Sequence, residues 1–196
     1  MEVIFDLGNV VLDWNVDKII NRLRIEEHER NLLRKELFEH SDWLELDSGM
    51  RSEKDIVFRV NKRSGLTVAT IENALQTAKA SLKPIPESLQ LLNELYNKDI
   101  NMYCLSNMSV ETYEYVRGQA FFNLFKGIII SGQEKCIKPD SRIFKLIIKR
   151  YNLNPTHTLF IDDSLPNVAA ANEQTLIGFH FQRTKTCYSK IRKILK

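Results

Sequence analysis

The chain has 196 residues, 43% of them hydrophobic and 27% charged, which suffices for one domain with a substantial core or a domain carrying an insert. Its formal net charge of +3 is spread over interspersed acids and bases, so no concentrated basic footprint of a nucleic-acid binder is present. Three well-separated cysteines (Cys104, Cys136, Cys187) argue against a disulfide framework or a structural zinc site and fit reduced thiols in a cytoplasmic protein; no apolar run reaches membrane-spanning length, and Met1 is expected to lead straight into a strand, with no signal peptide expected.

The first element is the apolar, β-branched run that begins Val3-Ile4-Phe5 and breaks at Asp6, with Gly8-Asn9 as a turn behind it. A strand ending in a carboxylate places a charged oxygen at a sheet edge, where a glycine lets backbone approach a ligand. Val11 to Asn15 reads as the exit from that turn. Val16, Ile19, Ile20 and Leu23 then recur at helical spacing, and a second helical stretch spans Glu26 to Glu39. Leu46 to Met50 is expected to be a turn. Ser52 reads as an N-cap with acidic residues in the first turn, opening a helix through Ile56, Val57 and Val60. A further helix is expected from near Thr70 through Ile71, Leu75 and Ala78. No period-2 segment interrupts this region, so residues 16–82 are expected to form an all-helical insert.

Pro84 and Pro86 end that block, and strands and helices alternate from there on. Helices are predicted over Glu87–Asn97, through Tyr113 and Val116, over Ser141–Tyr151, Val168–Gln174 and Tyr188–Leu195. Strands are predicted at Ile100–Leu105, Gly127–Ile130, Thr158–Ile161 and Ile177–Phe181. Such alternation predicts right-handed βαβ units and an α/β fold with a Rossmann-like parallel sheet flanked by helices, its ligand outside the carboxyl ends of the strands. Residues 1–15 and 83–196 would form that core.

Polar residues interrupt the apolar strands at the same end. Asp6 closes the first, Ser106 and Asn107 the second, Asp162 and Asp163 a later one, and Lys138 lies in the loop before the helix that precedes it. Carboxylates, a hydroxyl and a lysine converging on one edge suit Mg²⁺-assisted phosphoryl transfer. Hard oxygens hold Mg²⁺, a carboxylate can attack phosphorus, and a lysine neutralises the phosphoryl oxygens. The four histidines have no metal-ligand spacing. Trp14 and Trp43 either line a substrate pocket from the helical side or pack a hinge, and the basic stretch Lys185–Lys196 reads as the solvated face of a terminal helix.

Phe5-Asp6-Leu7-Gly8-Asn9-Val10, Leu105-Ser106-Asn107, Lys138-Pro139-Asp140 and Phe160-Ile161-Asp162-Asp163-Ser164 resemble, in order and spacing, the four motifs of the haloacid dehalogenase superfamily, and the insert resembles its helical cap. The resemblance covers essentially the whole chain. Within that superfamily the chain looks most like the branch of small sugar-phosphate phosphatases, resembling α-glucose-1-phosphate phosphatases and the N-terminal phosphatase domain of soluble epoxide hydrolases. The resemblance implies hydrolysis of a small phosphorylated metabolite, such as a sugar phosphate, through an aspartyl-phosphate with Mg²⁺ as cofactor, in a monomer or homodimer. Asp6 then matches the nucleophile and a metal ligand, and the Gly8 carbonyl matches a second ligand. Ser106 and Asn107 match phosphate binders, Lys138 the lysine that steadies nucleophile and phosphoryl group, and Asp163 a metal-binding acid. Asp162 stands beside it as ligand or helix cap, with Asn167 in support.

One position departs from the family pattern. Most phosphatases of the superfamily carry a second aspartate, the general acid and base, where this chain has Gly8. Positioned acid–base catalysis is typically worth roughly 10²–10⁴-fold, so a substitute or an easy leaving group is required. Asp13 is the nearest carboxylate and a candidate, with a turn or cap role as its other reading. The departure is the one sequence support for a second reading, a catalytically silent binding or regulatory protein; a phosphomutase or dehalogenase on the same scaffold is a weaker alternative, since a mutase needs the aspartate that Gly8 replaces and Asp162, Asp163 and Lys138 resemble Mg²⁺ and phosphate equipment.

Overall fold

The structure, a computed structural model, describes residues 1–195. Five strands form one wholly parallel sheet in the order β3-β2-β1-β4-β5: β1 Glu2–Phe5, β2 Met102–Ser106, β3 Gly127–Ile130, β4 Thr158–Asp162 and β5 Ile177–His180. The first strand is central because the chain adds β2 and β3 on one side, then crosses back to add β4 and β5 on the other. That reversal opens a crevice at the carboxyl ends of β1 and β4.

Helices on both sheet faces explain why the strands are apolar without alternation. Val3 and Phe5 point into one cluster, which includes Leu92, Phe121 and Ile191; Ile4 points into the other, with Phe144, Ile147 and Phe160. Val3, Ile4 and Phe5 are essentially solvent-free, and each such burial contributes about 1.5–3 kcal/mol. After Phe5 the chain winds tightly. The Leu7 carbonyl accepts from the amides of Val10, Val11 and Leu12, and Asn9 takes a positive φ of 53°. Val10 and Val11 are therefore buried in a turn rather than on the strand.

The insert is helical: α1 Val16–Asn21, α2 Glu27–Leu33 continuing as a π-helical turn over Arg34–Phe38, α3 Asp42–Asp47, α4 Glu53–Ser64 and α5 Val68–Ser81. Asn15 caps α1, the Ser52/Asp55 capping box starts α4, Gly65 ends it at φ 76°, and Thr67 caps α5. These helices bury their own cluster around Ile19, Leu37, Ile56, Val60, Ile71 and Leu75. The expected turn at Leu46–Met50 is half helix. Residues Leu46 and Asp47 finish α3, which is too short to show a period in the sequence, and the reversal falls at Ser48 and Gly49.

The remaining helices are α6 Pro86–Tyr96, α7 Val110–Val116, the single turn α8 Ser131–Glu134, α9 Ser141–Arg150, α10 Leu165–Glu173 and α11 Lys185–Ile194. The helical insert docks closely on the rest of the chain at α8. Gly49 has φ 67°, and a Cβ there would stand 2.0 Å from the Gly132 carbonyl oxygen; a Cβ on Gly132 would in turn stand 2.8 Å from the backbone of Met108 and Val110. Three backbone segments meet there with no room for a side chain. The Ser131 hydroxyl donates to the Asp47 carbonyl at 2.6 Å, and Glu111 of α7 accepts from the Glu53 amide at 3.1 Å.

Candidate active site

Strand register brings the sequence candidates together. Phe5 pairs with Ile161 on one side and Cys104 on the other, so the next residues along, Asp6, Asp162 and Leu105-Ser106, share the carboxyl edge. Asp6, Asp162 and Asp163 each offer a carboxylate oxygen, and the three oxygens lie within 4.8 Å of one another. Three carboxylates so close repel unless cations compensate them.

Lys138 supplies part of that compensation. Its ammonium donates to Asp6 Oδ1 at 2.7 Å, to Asp162 Oδ2 at 2.7 Å and to the Leu105 carbonyl at 2.9 Å, which occupies all three protons. The residue is 2% exposed, and its ammonium stands over the Phe160 ring. Burial works against its charge, but Asp6 and Asp162 outweigh it and hold the pKa above the usual lysine value. For Asp6 burial dominates. Desolvation pushes the carboxyl up to about 7, Lys138 pulls it down, and Asp162 and Asp163 add to the rise. A bound divalent cation would oppose that rise.

The two carboxylates after β4 differ. Asp162 is fully buried and fully engaged: besides Lys138 it accepts from the Ser164 amide at 2.8 Å and from Asn167 Nδ2 at 3.1 Å on both oxygens. Asp163 is half-buried and accepts from Asn9 Nδ2 at 3.1 Å, while Asn9 Oδ1 accepts from the Trp14 amide. Burial raises the Asp163 pKa, with Asn9 pulling it down. Asp6 and Asp163 thus retain oxygens for a cation; Asp162 chiefly orients Lys138. A hard, all-oxygen donor set of this kind fits Mg²⁺.

Asn107 does something the sequence did not disclose. Its Oδ1 accepts from the Lys138 amide at 2.8 Å and its Nδ2 donates to the Lys138 carbonyl at 2.9 Å, so its side chain holds the lysine loop in place. Ser106 is buried at the end of β2 and lines the cavity over the site, as does Gly8. A Cβ on Gly8 would meet only Asp6 Oδ2, at 3.8 Å, so neither crowding nor backbone conformation demands glycine there.

Asp13 is not brought to this group. Its two oxygens pair with Lys18 at 3.0 Å and Arg183 at 2.9 Å near the surface. The Lys18 hydrogen bond holds its pKa below the usual carboxylate range, which suits a salt bridge rather than a proton donor.

Above the cluster lies a cavity of about 120 Å³ between the helical insert and the sheet edge. Most of its wall is apolar: Trp14, Trp43, Leu46, Leu75, Leu82 and Met108. Trp14 and Trp43 pack at 5.5 Å between ring centroids, each also against Phe38, so the cavity wall here is one aromatic cluster. Sequence reasoning missed the polar groups that the cap adds. Lys79 of α5, 7% exposed, pairs with Glu53 of α4 at 2.8 Å, and Asp47 opens into the cavity from the end of α3. The only sequence sign of Asp47 was its i, i+4 spacing from Trp43 ahead of a Ser-Gly turn.

A family model for haloacid dehalogenase-like hydrolases matches residues 3–173. The chain is 24% identical to the sesquiterpene phosphatase astK of Aspergillus oryzae over 98% of its own length and 95% of that protein's. It is 27% identical over 86% of its length to the drimenol cyclase drtB of Aspergillus calidoustus, of which it spans 31%. Among solved structures, a predicted hydrolase of this family from Porphyromonas gingivalis superposes with a TM-score of 0.78 at 24% identity, covering 100% of this chain and 97% of that one. An enzyme of the family from Bacteroides thetaiotaomicron, in complex with magnesium and inorganic phosphate, superposes with a TM-score of 0.75 at 20% identity, over 94% of this chain and 95% of that one. No helix among the described residues is long and apolar enough to cross a membrane.

Proposed function

We propose that this chain, which belongs to the haloacid dehalogenase-like hydrolase family, is a Mg²⁺-dependent phosphatase for small monoesters whose organic group is largely apolar. The observation that carries the reading is the convergence of Asp6, Lys138, Asp162 and Asp163 at one sheet edge beneath a cavity.

Asp6 is the nucleophile, attacking phosphorus in line to form an aspartyl-phosphate that water then hydrolyses. Lys138 fixes the attacking carboxylate and, with all its protons engaged, acts on the phosphoryl group through charge rather than a new hydrogen bond. Ser106 and the backbone beside it receive the phosphoryl oxygens, and Asn107 acts through the Lys138 loop. Asp6, Asp163 and the Gly8 carbonyl would hold Mg²⁺, which supplies charge neutralisation on the phosphoryl oxygens when bound. Residues 1–15 and 83–196 carry this chemistry, and residues 16–82 close over it and exclude water.

The cavity wall separates substrate classes. A sugar phosphate brings several hydroxyls, each needing a partner once buried, whereas most of the cavity wall is apolar and two of its polar residues, Glu53 and Lys79, already pair with each other. The likeness to a sesquiterpene phosphatase points the same way. The test compares kcat/KM for n-butyl and prenyl phosphates with that for glucose 1-phosphate, with and without Mg²⁺, in wild type and Asp6→Asn. Mg²⁺-dependent hydrolysis lost in Asp6→Asn and at least about tenfold faster on the apolar esters is expected, a difference worth about 1.4 kcal/mol. Preference for the sugar overturns the substrate class; activity indifferent to Mg²⁺ or to Asp6→Asn overturns the phosphatase reading.

A further inference from the structure

An alkyl phosphate leaves as an alkoxide unless a proton reaches its oxygen, so the position of Gly8 poses a chemical question: which acid faces the leaving group? The carboxyls near the cavity can be taken in turn. Asp6 and Asp162 are bound to Lys138, and Asp163 to Asn9. Glu53 is paired with Lys79, and Glu111 accepts from the Glu53 amide. Asp13 is paired with Lys18 and Arg183. One carboxyl is left: Asp47 lines the cavity with Gly8 and Ser106, and among the described residues no cation pairs with it.

Its placement is built rather than incidental. Asp47 is the last residue of α3, one turn after Trp43, and its carbonyl is held by the Ser131 hydroxyl of the core at 2.6 Å. Two residues on, Gly49 packs its Cα against the Gly132 backbone with no space for a side chain. The cap therefore delivers this carboxyl to the site at a fixed position, between an aromatic wall and the loop that follows β2.

We propose that Asp47 is the general acid and base of the reaction, supplied by the cap in place of the family's second aspartate. This rests on the phosphatase reading above. In the first step an Asp6 oxygen bonds to phosphorus, the phosphorus–oxygen bond to the organic group breaks, and the departing oxygen takes the Asp47 proton, leaving an alcohol and an Asp47 carboxylate. In the second, that carboxylate takes one proton from water as its oxygen attacks phosphorus. The phosphorus–Asp6 bond breaks, releasing hydrogen phosphate and returning Asp47 to its acid form. Such a residue must be protonated near neutrality, and burial does push the Asp47 carboxyl up to about 7; the Ser109 amide and Trp43 pull it down, and Asp6 adds to the rise.

The experiment is Asp47→Asn, with folding checked by circular dichroism, assayed on n-butyl phosphate and p-nitrophenyl phosphate, whose leaving group needs no proton. Expected is a loss of about 10²–10⁴-fold in kcat/KM on the butyl ester, with less than about tenfold on the nitrophenyl ester. A pre-steady-state burst of nitrophenolate should appear in the variant, because only hydrolysis of the aspartyl-phosphate is slowed. Equal losses on both esters, or no loss on either, overturn the proposal. Wild type gives a second readout that needs no variant: kcat/KM should fall above about pH 7 on the butyl ester and not on the nitrophenyl ester. Superimposable profiles also overturn it. Failure of wild type to hydrolyse either ester with Mg²⁺ sinks the phosphatase reading instead, so the two failures are distinguishable.

Discussion

Lys138 and Asp6, 132 residues apart in sequence, meet at 2.7 Å, and the same ammonium reaches Asp162 at an equal distance. One cation is thus shared between the proposed nucleophile and a wholly buried acid. Removing it by Lys138→Met leaves both carboxylates without a charge partner. Breaking a buried pair in this way typically costs about 3–5 kcal/mol, so the variant should lose activity and unfold at markedly lower denaturant. Asp6→Asn should abolish turnover yet stay close to wild-type stability, since Lys138 keeps Asp162. Urea titrations of the two variants read the contrast.

Asp162 and Asp163 are adjacent but should fail differently. Asp163→Asn removes an oxygen still open to a cation, so the Mg²⁺ concentration for half-maximal activity should rise by at least about 10-fold while stability changes little. Asp162→Asn takes the charge from the group that holds Lys138, Asn167 and the Ser164 amide, so the melting temperature should fall. Mg²⁺ titration and thermal melts on each variant separate the outcomes.

Gly8→Asp should fold. A Cβ there meets nothing nearer than 3.8 Å and the backbone needs no glycine. In an Asp47→Asn background the added carboxyl should recover at least about tenfold in kcat/KM on an alkyl phosphate, within the usual range for a positioned acid. Steady-state kinetics of the double variant against Asp47→Asn measures it.

Gly49→Ala should separate cap from core. The methyl group would be driven to 2.0 Å from the Gly132 oxygen, and a non-glycine residue at φ 67° adds about 1–3 kcal/mol of backbone strain. A lowered melting temperature and a fall in kcat on alkyl phosphates are expected together, because the same turn carries Asp47.

Stability should also record Asp47. Its folded pKa is raised from 3.8 to about 7, so the folded protein keeps a proton that the unfolded chain releases across that interval. The folded state binds more protons there, and its stability falls as pH climbs from about 4 to 7. Asp47→Asn lacks this contribution. Metal-free melts should show the variant gaining on wild type as pH rises, with the full gap present above pH 7.

The sheet edge was legible because each motif closes an apolar run. Asp6, Ser106 and Asp162 follow strands whose parallel pairing fixes where their ends lie, so chain order sufficed to gather them. The division of labour at that edge was less legible. Nothing in Leu105-Ser106-Asn107 distinguishes an asparagine that contacts phosphate from one that grips the Lys138 backbone, since both use the same amide. The cap contribution was nearly hidden. Asp47 is held at the cavity beside the Gly49–Gly132 contact, which joins segments distant in sequence, and its i, i+4 spacing from Trp43 is the one trace it leaves. Asp13, close to Asp6 in the chain, is drawn away by Arg183 on the opposite side of the fold's connectivity.

Ser131 accepts from the Met108 amide at 2.9 Å while donating to the Asp47 carbonyl at 2.6 Å. A single hydroxyl is thus the knot between the loop after β2 and the last turn of α3. If the cap lifts to let an alcohol out, the Asp47 end of that knot parts while the Met108 end, internal to the sheet domain, stays tied. Opening then withdraws the proposed acid and leaves Asp6 and Lys138 in place, so an open molecule keeps its nucleophile but has no proton to give a departing alcohol.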